Sequence, residues 1–167
     1  MTQLPPEYIT PYIASNMFSI LLSVVAALSP QVCRWVFVAI FLGAGIFNAF
    51  MAIRQPSMYV EVYGPLAVLE LYSSFIYGLF SEYATAILLV IAAGQLVVGT
   101  LLLVRRRGRL FGVGALGGII FLVAIAPLGV GSAFPATLIM AAALFVTWYR
   151  WLQTYRRRMF GRRPLGG

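Results

Sequence analysis

The feature that most constrains this chain is Tyr83–Val104, an apolar run without a single formal charge, followed at once by Arg105, Arg106, Arg107 and Arg109. As a helix rising about 1.5 Å per residue, some 22 residues cover roughly 33 Å, enough to cross a hydrocarbon core of about 30 Å. A segment of this kind excludes most soluble architectures. Its arginines show that one end stops at a polar boundary. Gln95, in its middle, is the polar group that most needs a partner.

Composition carries the same conclusion to the whole chain. Of 167 residues, 62% are hydrophobic and only 10% charged. A soluble domain this small has too much surface to bury that much apolar material, so lipid must supply the missing interior. The apolar runs are continuous rather than alternating, which favours helices over a β-barrel, and backbone polar groups in hydrocarbon must be satisfied within the chain. The expected fold is therefore all-α: a single polytopic transmembrane helix bundle. The net charge of +8 comes entirely from arginine. In a membrane protein such a balance marks cytoplasmic loops, so the charge predicts contact with the bilayer, including anionic lipids, and no nucleic-acid partner. The chain has no histidine, no aspartate and one cysteine, Cys33. Histidine-ligated haem, a structural zinc site, an iron–sulfur cluster and a Ser-His-Asp triad all lack their residues, and no catalytic or metal-binding residue is expected. Cys33 reads as a small apolar filler at a membrane boundary.

Five spans follow from the apolar runs, at about 12–29, 35–53, 83–104, 110–128 and 135–151. Residues Met1–Pro11 read as an extended lead-in without the basic n-region of a signal peptide. In the first span Ser15, Ser19, Ser23 and Ala27 recur every four residues, a small-residue face suited to close helix contact. This segment either spans or lies flat at the interface. Spanning is preferred, because an interfacial helix carries basic residues on its polar face. The fourth span holds two G-x-x-x-G pairs, Gly108/Gly112 and Gly114/Gly118. Between the second and third spans Gly64-Pro65 breaks the chain. After that break, Glu70, Ser74, Tyr77 and Ser81 share one face of Leu66–Phe80. An amphipathic interfacial helix over about 66–80 is predicted there. The chain ends in a basic tail, 152–167.

Five spans place eleven of the twelve arginines on one side; Arg54 and all four glutamates fall on the other. The positive-inside rule then sets the C-terminus in the cytoplasm of a bacterial inner membrane and the N-terminus outside. Counting 66–80 as a further span would separate Arg34 from the Arg105 cluster.

The candidate functional residues are few. Gln95 shares a helix face with Thr85, Ala92 and Gly99, and Asn48 is the other amide at membrane depth. Asn48, Gln95 and Thr85 form either interhelical glue or a polar site for a quinone carbonyl or another lipophilic ligand. Glu70 and Tyr77 are candidate contacts on the outer face. Arg105, Arg106, Arg107, Arg109, Arg156, Arg157 and Arg158 are candidate contacts to lipid or a partner subunit.

From Trp35 to about Trp148 the chain resembles the DoxX-like family of small membrane proteins. The resemblance rests on the helix ending GAGIFNAF, the P-x-x-Y formed by Pro56 and Tyr59, and the helix carrying AAGQLVVG. It implies a four-helix core, here preceded by an extra N-terminal helix. Family members often carry a basic residue near the position of Asn48 and an acidic one near that of Gln95, where this chain has neutral amides. The resemblance also implies quinone-linked redox chemistry for some members. Three functions compete. The missing catalytic groups and small-residue faces favour a non-catalytic accessory subunit among other membrane subunits. A quinone-linked subunit with a ligand near Asn48 and Gln95 is the alternative. A small transporter ranks last, because no span carries a charge.

Overall fold

The computed structural model describes residues 6–104 and 108–160, with backbone only at residues 7, 108 and 155–160. Every regular element among them is helical. In chain order these are α1 (Pro6–Leu28), α2 (Pro30–Arg54), α3 (Ser57–Tyr63), α4 (Glu70–Phe75, continued by a π turn at Ile76–Phe80), α5 (Ala84–Leu103), α6 (Gly108–Ile125, continued by a 3-10 segment at Ala126–Ser132) and α7 (Ala136–Phe160). Among the described residues four stretches are long and apolar enough to cross a membrane: Tyr8–Leu28, Pro30–Arg54, Ala84–Leu103 and Arg109–Ser132. The protein is thus an all-helical chain of multi-pass type. Helix α7 is long enough but less apolar, because Trp148, Tyr149 and Arg150 follow its aliphatic first half.

The expected elements are present with shifted ends. The stretch read as an extended lead-in is helical from Pro6, with Pro11 inside α1. Pro11 is the sixth residue of α1, beyond the first turn whose N–H groups lack acceptors, so its missing N–H removes one bond from the helix ladder close to its start. Only Ser29 separates α1 from α2, whose first residue is Pro30. Pro30 has a preset φ and no N–H to lose there. The segment expected as one helix over 66–80 is helical only from Glu70, and Gly78 departs from helical geometry (φ −93°, ψ −107°). Leu66–Leu69 instead lies against the segment after α6, where the Val68 N–H donates to the Pro127 carbonyl at 3.1 Å. Ile76 and Phe80 are buried, and the polar face Glu70, Ser74, Tyr77 and Ser81 is exposed.

Helices α2, α5, α6 and α7 form a ring in which each neighbour runs antiparallel to the next, and α1 packs on α7 and α2. Glycines set the closest approaches. A Cβ at Gly99 on α5 would stand 2.7 Å from Leu42 Cδ2 on α2, and one at Gly45 would stand 2.8 Å from Leu96 Cγ. Gly114 meets Leu101 and Leu102, and Gly118 meets Leu144 and Phe41. The core at this level is Phe37, Phe41, Leu102, Phe111, Ala115 and Leu144. On α1 the contact line runs Ser19, Leu22, Ala26, all buried, and Ala27 is exposed. Four-residue steps overshoot a 3.6-residue turn, so alternating threes and fours hold the seam and a strict four-residue repeat leaves it.

The ends of the bundle differ. One end carries Arg34 and Arg109, near the starts of α2 and α6, and Arg150 in the second half of α7, next to Trp151, on which Phe111 packs with ring centres 5.0 Å apart. The Arg34 guanidinium lies 5.0 Å from the Trp35 ring centre. Cys33 is fully buried in the core, its thiol 3.7 Å from the Leu22 carbonyl oxygen, rather than at an open boundary. At the other end Ser57–Phe80 folds over the helix ends as a cap.

Candidate functional site

The site lies beneath this cap. Asn48 is on α2 and Gln95 on α5, and the Asn48 Nδ2 donates to Gln95 Oε1 at 2.7 Å. Gly45 and Gly99 sit about one turn from each amide and allow the backbones to close to that distance. Two amides in apolar helices are driven to one another because neither finds water in hydrocarbon. A third group completes the arrangement: the Tyr59 hydroxyl on α3 donates to Asn48 Oδ1. Gln95 is 5% exposed and Tyr59 9%. Tyr59 in turn stacks on Tyr63, ring centres 5.6 Å apart and planes within 11°.

Next to the triad is a cavity of about 390 Å³. Helices α2 and α5 supply Ala44, Phe47, Asn48, Leu88, Ile91 and Gln95. Helix α6 and the turn after it supply Phe121, Ala124, Ile125, Leu128 and Ser132. The cap closes the remaining side with Tyr59, Tyr63, Tyr72, Phe75, Ile76 and Phe80. It is fastened across the cavity mouth by the Tyr72 hydroxyl, which donates to the Ala124 carbonyl at 2.7 Å, and by the Val68–Pro127 bond. Gly129, at φ +70°, and Gly131 let this wall approach Leu66 and the Tyr63 ring. The walls are mostly apolar and aromatic, with the triad on one side; across from it the Tyr72 and Ser132 hydroxyls are bonded to backbone carbonyls. Burial pushes the Tyr59 phenol up to about 12, with the neighbouring Tyr63 adding to it, and burial raises Tyr63 as well. The Tyr59 hydroxyl therefore stays protonated at neutral pH and keeps the proton that it donates to Asn48.

The other candidate residues are dispersed. Thr85 is exposed and borders a separate surface groove with Pro56, Ser57, Glu61 and Glu82, away from Gln95. Ala84 takes the inward position instead, packed with Met51, Ala52, Tyr59 and Phe80, in step with Leu88, Ala92 and Gln95 on the buried face of α5. Glu70 is exposed in the first turn of α4. Tyr77 is also exposed and lies over Gly64, where a Cβ would come within 2.6 Å of its Cζ. Arg109 is exposed at the start of α6. Arg105, Arg106 and Arg107 lie outside the described residues, as do the side chains of Arg156, Arg157 and Arg158.

Tyr59 is the residue that sequence reasoning missed as part of the site. The available signal was the tyrosine-rich stretch between two spans that each carry a buried amide. Compared with protein-family models, curated proteins and solved structures, the chain has no match.

Proposed function

We propose that this protein holds a lipophilic small molecule in the tyrosine-capped cavity of an inner-membrane helix bundle. The observation that carries this reading is the polar triad of Tyr59, Asn48 and Gln95 set into the side of an otherwise apolar cavity. At about 30 Å³ per water-sized unit, 390 Å³ holds a ring system with a short substituent. A quinone ring is one such group, and the family resemblance names it. The accessory-subunit role rested in part on small-residue faces free for a partner. Gly45, Gly99, Gly114 and Gly118 are engaged within the chain, which weighs toward the ligand.

In the same proposal α1, α2, α5, α6 and α7 all cross the bilayer, giving five spans. The arginine end faces the cytoplasm, where Arg109 and Arg150 meet anionic headgroups. The cap lies at the outer interface, where tyrosine is favoured.

Gentle purification tests the ligand. An organic extract of protein in mild detergent is expected to contain one lipophilic compound in near-equal amount, reduced in Gln95→Leu. Phospholipid and detergent alone, in equal amounts from both proteins, would refute the reading. Placement is tested with a Cys33→Ala background carrying Ser132→Cys. Labelling from the outer side is expected, and labelling only from the cytoplasm overturns the orientation.

A further inference from the structure

The triad is not internally balanced. Asn48 donates through Nδ2 and accepts through Oδ1, and Tyr59 donates to it. Gln95 accepts through Oε1, and its Nε2 has no hydrogen-bond partner among the described residues; the residue is 5% exposed and borders the cavity. An amide N–H left bordering a mostly apolar cavity is costly to leave unmatched, so that space favours whatever supplies an acceptor. With both amides turned over, the spare donor would instead be the Tyr59 hydroxyl on the same wall. No charged side chain borders the cavity among the described residues. An ionised ligand would therefore be buried without a counter-charge, which is strongly unfavourable.

Resting on the cavity reading above, we infer that the occupant is a neutral lipophile headed by a hydrogen-bond acceptor, a carbonyl or ether oxygen, that receives the Gln95 Nε2 proton. The ring or chain behind that oxygen lies among Phe121, Ile125 and Phe75. Carboxylates and ammonium-bearing amphiphiles are excluded by the same chemistry.

Three probes of like shape test this: 2-acetylnaphthalene, 2-ethylnaphthalene and 2-naphthoate. Each is equilibrated with the full chain in mild detergent and corrected for uptake by protein-free micelles. The ketone is expected to bind about tenfold or more tighter than the hydrocarbon, and the carboxylate no better than to micelles. Hydrocarbon and ketone binding equally would overturn the acceptor inference and leave the cavity reading standing. Binding of neither would overturn both. Naphthoate matching the ketone would overturn the neutral class. In Gln95→Met the ketone preference is expected to vanish while hydrocarbon binding remains; in Tyr59→Phe the preference is expected to persist. The reverse pattern would overturn the assignment to Gln95. The wild-type ratios decide the ligand class even if Gln95→Met fails to fold.

Discussion

Gly129→Ala probes the joint on which the cap depends. Gly129 is buried, and its φ of +70° with ψ −138° lies in a region that L side chains rarely enter. That conformation costs a non-glycine residue about 1–3 kcal/mol. A Cβ there would also press on the Leu66 carbonyl oxygen and stand 2.9 Å from Val68 Cγ2. The first of these neighbours is backbone, which yields only if the chain moves, so a further cost of about 1–3 kcal/mol applies. The relief available is to lift Leu66–Val68, which breaks the Val68–Pro127 bond and loosens the Tyr72–Ala124 bond. The expected outcome is a loss of roughly 2–6 kcal/mol, with the cap detached before the bundle melts. Reversible unfolding in mixed micelles measures the first, and thiol labelling of Ile76→Cys, at a cap position only 3% exposed, measures the second in a Cys33→Ala background. Gly43→Ala is the control, since nothing lies within 4 Å of a Cβ at that position. If Gly129→Ala unfolded like the control, with Ile76→Cys no more reactive than in the parent, the cap would not be held as described.

Three further outcomes follow from the same geometry. The Tyr59 phenol titrates at about 12 in the folded protein, above the ordinary value near 10, so the folded state prefers the neutral form. The associated stability is fully present below pH 10 and is lost as pH rises toward 12; phenolate absorbance against pH, compared with Tyr59→Phe, reads it. Gly99→Val should separate α2 from α5, because Leu42 Cδ2 and the Leu42 backbone nitrogen lie 2.7 and 3.1 Å from the Cβ position. A destabilisation of about 1–3 kcal/mol is expected in the same unfolding assay, together with weaker probe binding. Thr85→Val should change stability by less than about 0.5 kcal/mol and leave probe binding unaltered, since Thr85 is exposed and apart from the triad.

The meeting of Asn48 with Gln95 was legible in the sequence because an amide has few places to go in an apolar helix. The glycines on either side were legible for a related reason, since backbone approach needs small residues. Tyr59 was not, because it lies in a seven-residue helix whose position is set by contacts rather than by hydropathy. Its role depends on how the chain folds back after Arg54, a property that no local period encodes. The inward position of Ala84 in place of Thr85 follows the helical period instead: stepping back from Gln95 by three, four and four residues gives Ala92, Leu88 and Ala84, all buried, and passes over Thr85. The break at Leu66–Leu69 was not legible because Leu-Ala-Val-Leu carries no helix-stopping residue, while the Val68 N–H finds its acceptor at the distant Pro127 carbonyl. Helix ends on α1 and α7 ran beyond the apolar runs because hydrogen bonding along a helix does not stop where hydropathy does.

The single non-helical residue between α1 and α2 has a consequence for how such a chain enters a bilayer. The Ser29 N–H donates to the Val25 carbonyl at 2.7 Å, and the Ser29 carbonyl accepts from the Cys33 N–H at 3.1 Å, so the corner is fastened on both sides. There is no slack in which one helix can wait while the other is inserted. In the proposed five-span arrangement the two would enter lipid as one hairpin, with Arg34 beside its bend. Lengthening the corner with a flexible glycine–serine insert would uncouple the two insertions, and the fraction of chains with a translocated N-terminus would then depend on α1 alone.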